Sequence, residues 1–289
     1  MYGLETRTTM IDYHIHPSYS ADASGSVEEF CEAAVQMGLR EVCFTTHLDS
    51  DPVRQEDFVM VHGEKVNIDS PDWLEDYESS IRTTGDVFKE QNLEVKLGVE
   101  VDLYPGVVEQ LPEVFHSADF DLVIGSVHLV DHKAISLKEE AIEIFRRYTL
   151  DELGNHYYGL IMDSLGAGLF DIVGHLDIYR RYGEEYYGED IHALWEPHIV
   201  ELSRSMKTHG VGFEVNTSSW RKGLKEPMPA ASLVKALLRR GIDTVTVGSD
   251  AHNPEEVGSG IDRALIILQE SGLQTATLYD KRVPRSIRL

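Results

Sequence analysis

Cysteine is scarce in this chain, and so is positive charge. Its 289 residues include two cysteines, Cys31 and Cys43. So few thiols exclude a disulfide framework and a Cys-rich structural zinc site. One falls in a predicted helix and the other in a predicted strand, so both read as buried, reduced thiols of a cytoplasmic protein. No apolar run approaches the roughly 18 residues that a membrane-spanning helix requires. The opening stretch, MYGLETRTTM, lacks the basic start and apolar segment of a signal peptide. Lysine and arginine together number 26 against 50 acidic residues, a formal net charge of −24. Basic residues cluster no further than pairs such as Arg146-Arg147, Arg180-Arg181 and Arg239-Arg240. Such a surface repels nucleic acid and anionic lipid at long range. Polymeric nucleic acid and membranes are therefore not expected partners, whereas a small anion entering a locally positive pocket is compatible with it.

What the chain does have is an alternation of strand and helix. Short β-branched runs punctuated by glycine fall at Met10–His16, Arg40–His47, Leu93–Asp102, Asp121–His128, Phe170–Asp177, Val211–Thr217 and Asp243–Asp250. Amphipathic stretches separate them at Val27–Met37, Glu139–Tyr148, Leu194–Thr208, Ala230–Arg240 and Ile261–Gln269. Ser26 is placed to cap the first of these, with Glu28 and Glu29 in its opening turn. One continuous alternation predicts parallel βα units closing into a barrel, a single domain over residues 1–289. The acidic region Pro52–Asn92 reads as a strand-poor loop and helix insertion.

The opening strand raises the chemical question. DYHIHPSYSAD carries His14 and His16 one residue apart, and alternate residues of a strand share a face. Taken alone, such a pair fits a half-solvated strand as well as a metal site. The other strands decide between the two. Six of the seven end in residues that can bind metal: His16, His47, Glu100, His128, His175 and Asp250, with His252 two residues further on. In βα barrels the C-terminal strand ends converge at one mouth, so these side chains should meet. Glycines precede several of them, at Gly98, Gly125, Gly174 and Gly248, where a strand glycine often marks close approach. Tyr19 and Tyr179 follow strand ends and are expected to border that mouth. His132, just after His128, stands nearer to it than the other histidines of the helices and loops.

At these positions the chain resembles the PHP (polymerase and histidinol phosphatase) family. The motifs are HxH, His47, V-G-V-E-V-D, G-S-V-H, G-H-L-D and G-S-D-A-H, spread from Asp12 to about Gly258. The strings GVEVDLYPG, DLVIGSVHLVD, FDIVGHLDIYRR and FEVNTSSWRKG look most like the stand-alone histidinol-phosphate phosphatases of that family. The resemblance implies an α/β fold, a distorted seven-stranded (β/α) TIM-like barrel. It implies three divalent ions, zinc, iron or manganese, on nine ligands. His14, His16 and Asp250 would hold the first, Glu100 would bridge it to a second on His128 and His175, and Asp22, His47 and His252 would hold the third. All nine donors are nitrogen or oxygen, as open catalytic sites require. Three such ions outweigh the charge of Glu100, Asp22 and Asp250, so the site can be positive on an acidic protein.

The implied activity is hydrolysis of a small phosphomonoester, histidinol phosphate, to histidinol and phosphate in histidine biosynthesis. Its implied nucleophile is a metal-bridging hydroxide. Glu100 and Asp250 are the expected catalytic ligands. Arg221 is the candidate phosphate clamp, with Arg180 and Arg181 as further candidates, and Asp102 or Asp177 could face the substrate amine. The competing readings are a PHP phosphodiesterase or nucleotidase acting on a small nucleotide, another small-molecule phosphatase, a metal-dependent amidohydrolase and a metal-binding regulator. An amidohydrolase usually carries lysine where this chain has His128. A regulator would be expected to have lost ligands, and none of the nine is missing.

Overall fold

The structure, a computed structural model, describes residues 10–289. The first nine residues, on which most of the signal-peptide reading rests, lie outside the described residues. Seven parallel strands form one sheet in sequence order. They are β1 (Ile11–Ile15), β2 (Glu41–Leu48), β3 (Glu94–Asp102), β4 (Leu122–Ser126), β5 (Ile172–Val173), β6 (Gly212–Asn216) and β7 (Val245–Gly248). The strands are buried almost throughout, as expected of parallel strands covered by helices. The sheet curls until its ends meet. The His16 amide donates to the Ala251 carbonyl at 2.8 Å, and the Asp250 amide to the His14 carbonyl at 2.8 Å. The result is the distorted seven-stranded barrel the sequence predicts. Its weakest seam is β5, a strand of two residues.

Helices cover the outside of the barrel. In α1 (Val27–Met37), Ser26 and Glu29 form a reciprocal capping box, and Gly38 ends the helix at φ 76°. Helix α2 (Pro71–Phe88) starts at a Ser70 cap and fills the region Pro52–Asn92. That region also holds an antiparallel hairpin, Phe58–Val61 with Glu64–Asn67, which the strand-poor reading did not anticipate. Helix α3 (Lys138–Arg147) agrees with expectation, but the chain then enters α4 (Leu150–Leu165), which was not expected. Its signal was present, because Thr149 and Glu152 make a second capping box. Helix α5 (Ile199–His209) begins later than predicted, after a 3₁₀ turn at Glu196–His198 that contains Pro197. Helices α6 (Ala231–Arg239) and α7 (Ile261–Glu270) continue the layer, which also includes a short helix at Arg180–Tyr187. Among the described residues no helix is long and apolar enough to cross a membrane.

A C-terminal hairpin, Thr275–Asp280 with Val283–Arg288, lies across the N-terminal ends of the strands. The Lys281 amide donates to Asp121 at 3.0 Å, Arg282 pairs with Asp171 at 3.1 Å, and Arg285 pairs with Glu41. These acids stand at or just before strand starts, so the hairpin closes that end of the barrel. The opposite end is left for the functional groups.

Candidate metal centre

The strand register brings the acid and histidine residues to one place. His14 lies in β1 and His16 just beyond it, on the same face, with ring centroids 4.9 Å apart. His47 in β2 sits directly opposite Glu100 in β3. His128, His175 and Asp250 each lie two residues past the end of β4, β5 and β7. Glu100 is 1% exposed and occupies the centre. One of its oxygens faces His47 Nδ1 at 3.1 Å, His14 Nε2 at 3.2 Å and His16 Nε2 at 3.4 Å. The other faces His175 Nε2 at 3.0 Å and His128 Nε2 at 3.6 Å. Asp250 lies 3.4 Å from His16 and 3.6 Å from His252, and Asp22 lies 3.2 Å from His252 and 3.9 Å from His47. All nine residues singled out from the sequence therefore meet.

Their grouping differs in part from the assignment implied by the resemblance. Among the described residues three sets have ligand atoms mutually within 4.8 Å: His14, His16 and Asp250; His16, His47 and His252; His47, Glu100 and His128. The first agrees with the sequence assignment. In the other two, His47 draws together residues that the sequence had placed in separate sets. Buried His14 Nε2, His16 Nε2 and Glu100 Oε2 have no hydrogen-bond partner. Buried polar atoms without partners call for a physical reason. Divalent cations supply one, since these atoms converge and all are nitrogen or oxygen donors.

A second ring of groups holds these side chains. Glu214 of β6 accepts from His14 Nδ1 at 2.7 Å and from the His175 amide at 3.1 Å. Asp102 bonds His128 Nδ1, and Ser20 Oγ lies 3.2 Å from His16 Nδ1. In each case the far ring nitrogen remains directed at the centre, the arrangement that fixes a metal-binding tautomer. The sequence reading missed Glu214, although an acid inside the apolar run Val211–Thr217 was its signal. The glycines mark close approach here. A Cβ on Gly248 would lie 2.3 Å from Glu214 Oε1 and 2.4 Å from His14 Cβ, and one on Gly174 would lie 2.3 Å from Ser126 Oγ.

Electrostatics couples the acids to the histidines. Burial by itself would lower His14 and His47, but the neighbouring carboxylates outweigh it. Glu214 and Glu100 raise His14, and Glu100 carries His47 up to about 10. His128 reaches about 9 against its own burial, through Asp102 and Glu100. Burial would raise Glu100, yet His14 and His128 hold it well below the usual range. Asp49 is pushed up to about 8, by burial first and Asp102 second.

A cavity of about 680 Å³ opens above the cluster, walled by His47, His128, His175, Asp250 and His252. Arg54, Arg181 and Lys222 bring positive charge to it, and Tyr19, Phe58 and Ile178 bring apolar surface. Two predicted phosphate ligands, Arg180 and Arg221, do not line it. Arg180 is 2% exposed, with its Nε 2.7 Å from Asp177 and an Nη donating to the Pro227 carbonyl. That pair also closes off Asp177 as a partner for an amine. Arg221 does not line the cavity: its Nη2 donates to the carbonyls of Ser249 at 2.8 Å and Asp250 at 2.9 Å, and its buried Nε and Nη1 have no partner. It braces the Asp250 loop. Lys222, its neighbour, does reach the cavity and was missed. Tyr19 borders the mouth as expected, whereas Tyr179 is buried against the Tyr158 hydroxyl at 2.8 Å. His132 pairs with Asp51 at 2.6 Å.

Comparison with known proteins agrees with this geometry. A probable histidinol-phosphatase of Deinococcus radiodurans is 31% identical over 276 residues, 96% of this chain and 99% of that protein. A histidinol-phosphatase of Lactococcus lactis is 23% identical, covering 96% and 97%. Among solved structures, the Lactococcus lactis histidinol phosphate phosphatase complexed with zinc, L-histidinol and phosphate superimposes with a TM-score of 0.78 at 22% identity. That match covers 96% of this chain and 99% of the other. The PHP domain model matches residues 12–218, which is most of the chain, and the chain belongs to the PHP domain family.

Proposed function

We propose that this protein is a metal-dependent phosphomonoesterase that hydrolyses histidinol phosphate to histidinol and phosphate. The observation that carries this reading is the convergence of five histidines on Glu100, with Asp22, Asp250 and His252 beside them, under a cavity that also presents Arg181 and Lys222. Full-length likeness to histidinol-phosphatases supports the choice of substrate.

His14, His16, Asp22, His47, Glu100, His128, His175, Asp250 and His252 would hold three divalent ions, zinc, iron or manganese. When bound, such ions acidify water and neutralise charge on a phosphoryl group. The chain's own residues do the rest. Glu100 offers one oxygen to each side of the cluster, so it fixes the two sides relative to one another. Glu214 and Asp102 hold the His14 and His128 rings. Arg181 and Lys222 supply cations for the non-bridging phosphoryl oxygens, with Arg181 able to bond two of them at once. Arg221 keeps Asp250 and His252 in place by gripping their loop.

The test is an assay of metal-loaded protein against histidinol phosphate, a generic monoester, a diester and an amide. Hydrolysis should be fastest for histidinol phosphate, be abolished by chelation, and accompany about three ions per chain by elemental analysis. Faster hydrolysis of the diester or the amide would refute the reading. A fully active protein holding one ion would refute the trinuclear site.

A further inference from the structure

The cavity wall carries six carboxylates: Asp22, Asp49, Glu56, Asp102, Asp250 and Glu256. Five are engaged. Asp22 pairs with His252 at 3.2 Å, Glu56 with Arg54 at 3.0 Å, and Asp102 with His128. Asp250 accepts from Ser218 at 2.9 Å, and Glu256 accepts the His252 amide at 3.1 Å. Asp49 is the exception. Its Oδ1 is shielded from solvent and has no hydrogen-bond partner. An acceptor kept away from water without a donor costs free energy, so its retention points to a ligand that brings the donor.

Position narrows the choice of ligand. Asp49 stands two residues beyond His47, at the end of β2 and beside Asp102 of β3. Arg181 follows β5 and Lys222 follows β6, so these two cations enter from a different arc of the barrel, while Arg54, on the Asp49 side, is matched by Glu56 and Glu140. The cavity therefore has two unlike sides, an unengaged carboxyl group on one and cations on another. A zwitterion carrying a phosphate and an ammonium matches that polarity. In histidinol phosphate the ammonium is two carbons from the ester oxygen, so its partner must stand close to the reacting centre. Asp49, next to the histidine cluster, meets that condition. Glu56 is already paired with Arg54.

We propose that Asp49 recognises the substrate's ammonium group and so selects phosphate esters of 2-amino alcohols. This rests on the phosphatase reading above and deepens it. The arriving ammonium supplies the donor that the Asp49 oxygen lacks.

The experiment compares the parent protein with Asp49→Asn, which keeps the shape and removes the charge. Three esters serve as probes: histidinol phosphate, phenylalaninol phosphate, which keeps the amine, and 3-(imidazol-4-yl)propyl phosphate, which lacks it. In the parent, both amine-bearing esters should be preferred over the amine-free one. In the variant, that preference in kcat/KM should fall about 10- to 100-fold, mainly through KM, as expected for loss of a charge-assisted hydrogen bond. Metal content should equal the parent's. An equal loss on all three esters, a loss that follows the imidazole, a fall in metal content or an unaltered preference would each overturn the assignment. A parent that hydrolyses the amine-free ester as well as histidinol phosphate overturns it too, yet leaves the phosphatase reading intact. A parent inactive on all three overturns both.

Discussion

Glu214 offers the sharpest test of how the centre is held, because no metal-binding role is assigned to it. Its carboxylate is buried and surrounded by donors: His14 Nδ1 at 2.7 Å, the His175 amide at 3.1 Å and Asn216 Nδ2 at 3.1 Å. Changing it to Gln keeps the volume but turns one acceptor into an NH₂ group. With donors on every side, that NH₂ must face another donor. If it faces His14, the ring is driven to the tautomer with hydrogen on Nε2, which removes the lone pair meant for the centre. The side chain has no space to move away, since the Cα of Gly248 leaves no room for even a Cβ between Glu214 and His14. Loss of such an orienting partner typically weakens metal binding about 10- to 100-fold, or about 1.4–2.8 kcal/mol. The assay is competition for zinc or manganese against a chromogenic chelator, with circular dichroism to establish that the variant is folded. Unchanged metal affinity in a folded Glu214→Gln protein would refute the orienting role and, with it, the proposed disposition of His14.

Two further outcomes follow from the same geometry. Arg181→Ala should lower kcat/KM for the phosphomonoester by roughly 100-fold with metal content unaltered, as for removal of a comparable transition-state donor. Arg221→Ala should instead lose metal, because the Ser249 and Asp250 carbonyls lose their donor; steady-state kinetics and elemental analysis on the same samples would expose the reverse pattern. The histidines also predict a pH dependence. His47 and His128 are held near 10 and 9 without metal, so at neutral pH they are protonated and metal must displace protons. Metal affinity should therefore weaken as pH falls. The metal-free fold behaves oppositely, because a raised histidine pKa contributes stability that is full below about 6.5 and lost as pH rises through 9 to 10. Calorimetric titration at pH 7 in two buffers of different ionisation enthalpy reads the proton release, and equal heats would contradict it.

The barrel was legible because its strands are buried on both faces and carry their own punctuation. Runs such as LVIGS and VTVG are apolar and β-branched, and glycine or a turn ends each one. The omissions were of two kinds. Helix α4 announced itself through Thr149 and Glu152, but directly after α3 it was hidden in what looked like a single connection. The C-terminal hairpin had no comparable local signal. Its outer strand is largely exposed, and its place is set by Asp121, Asp171 and Glu41, residues far away in sequence.

The candidate site was legible to a similar depth and no further. Which residues gather at the mouth depends only on which end of a strand they occupy, and one-dimensional order fixes that. How they group depends on side-chain reach. His47 lies in register with Glu100, so it approaches the centre while staying beside Asp22 and His252. The cations show the limit most clearly. Arg180 and Arg181 open the helix Arg180–Tyr187, and consecutive helical residues point about 100° apart. Only one of them can face the cavity, and it is Arg181, while Arg180 turns inward to Asp177. The same division separates Arg221, which grips the Asp250 loop, from Lys222, which reaches the cavity. A pair of adjacent basic residues gives the sequence two candidates and no phase. The phase comes from what each partner is packed against, and that exists only once the barrel has closed.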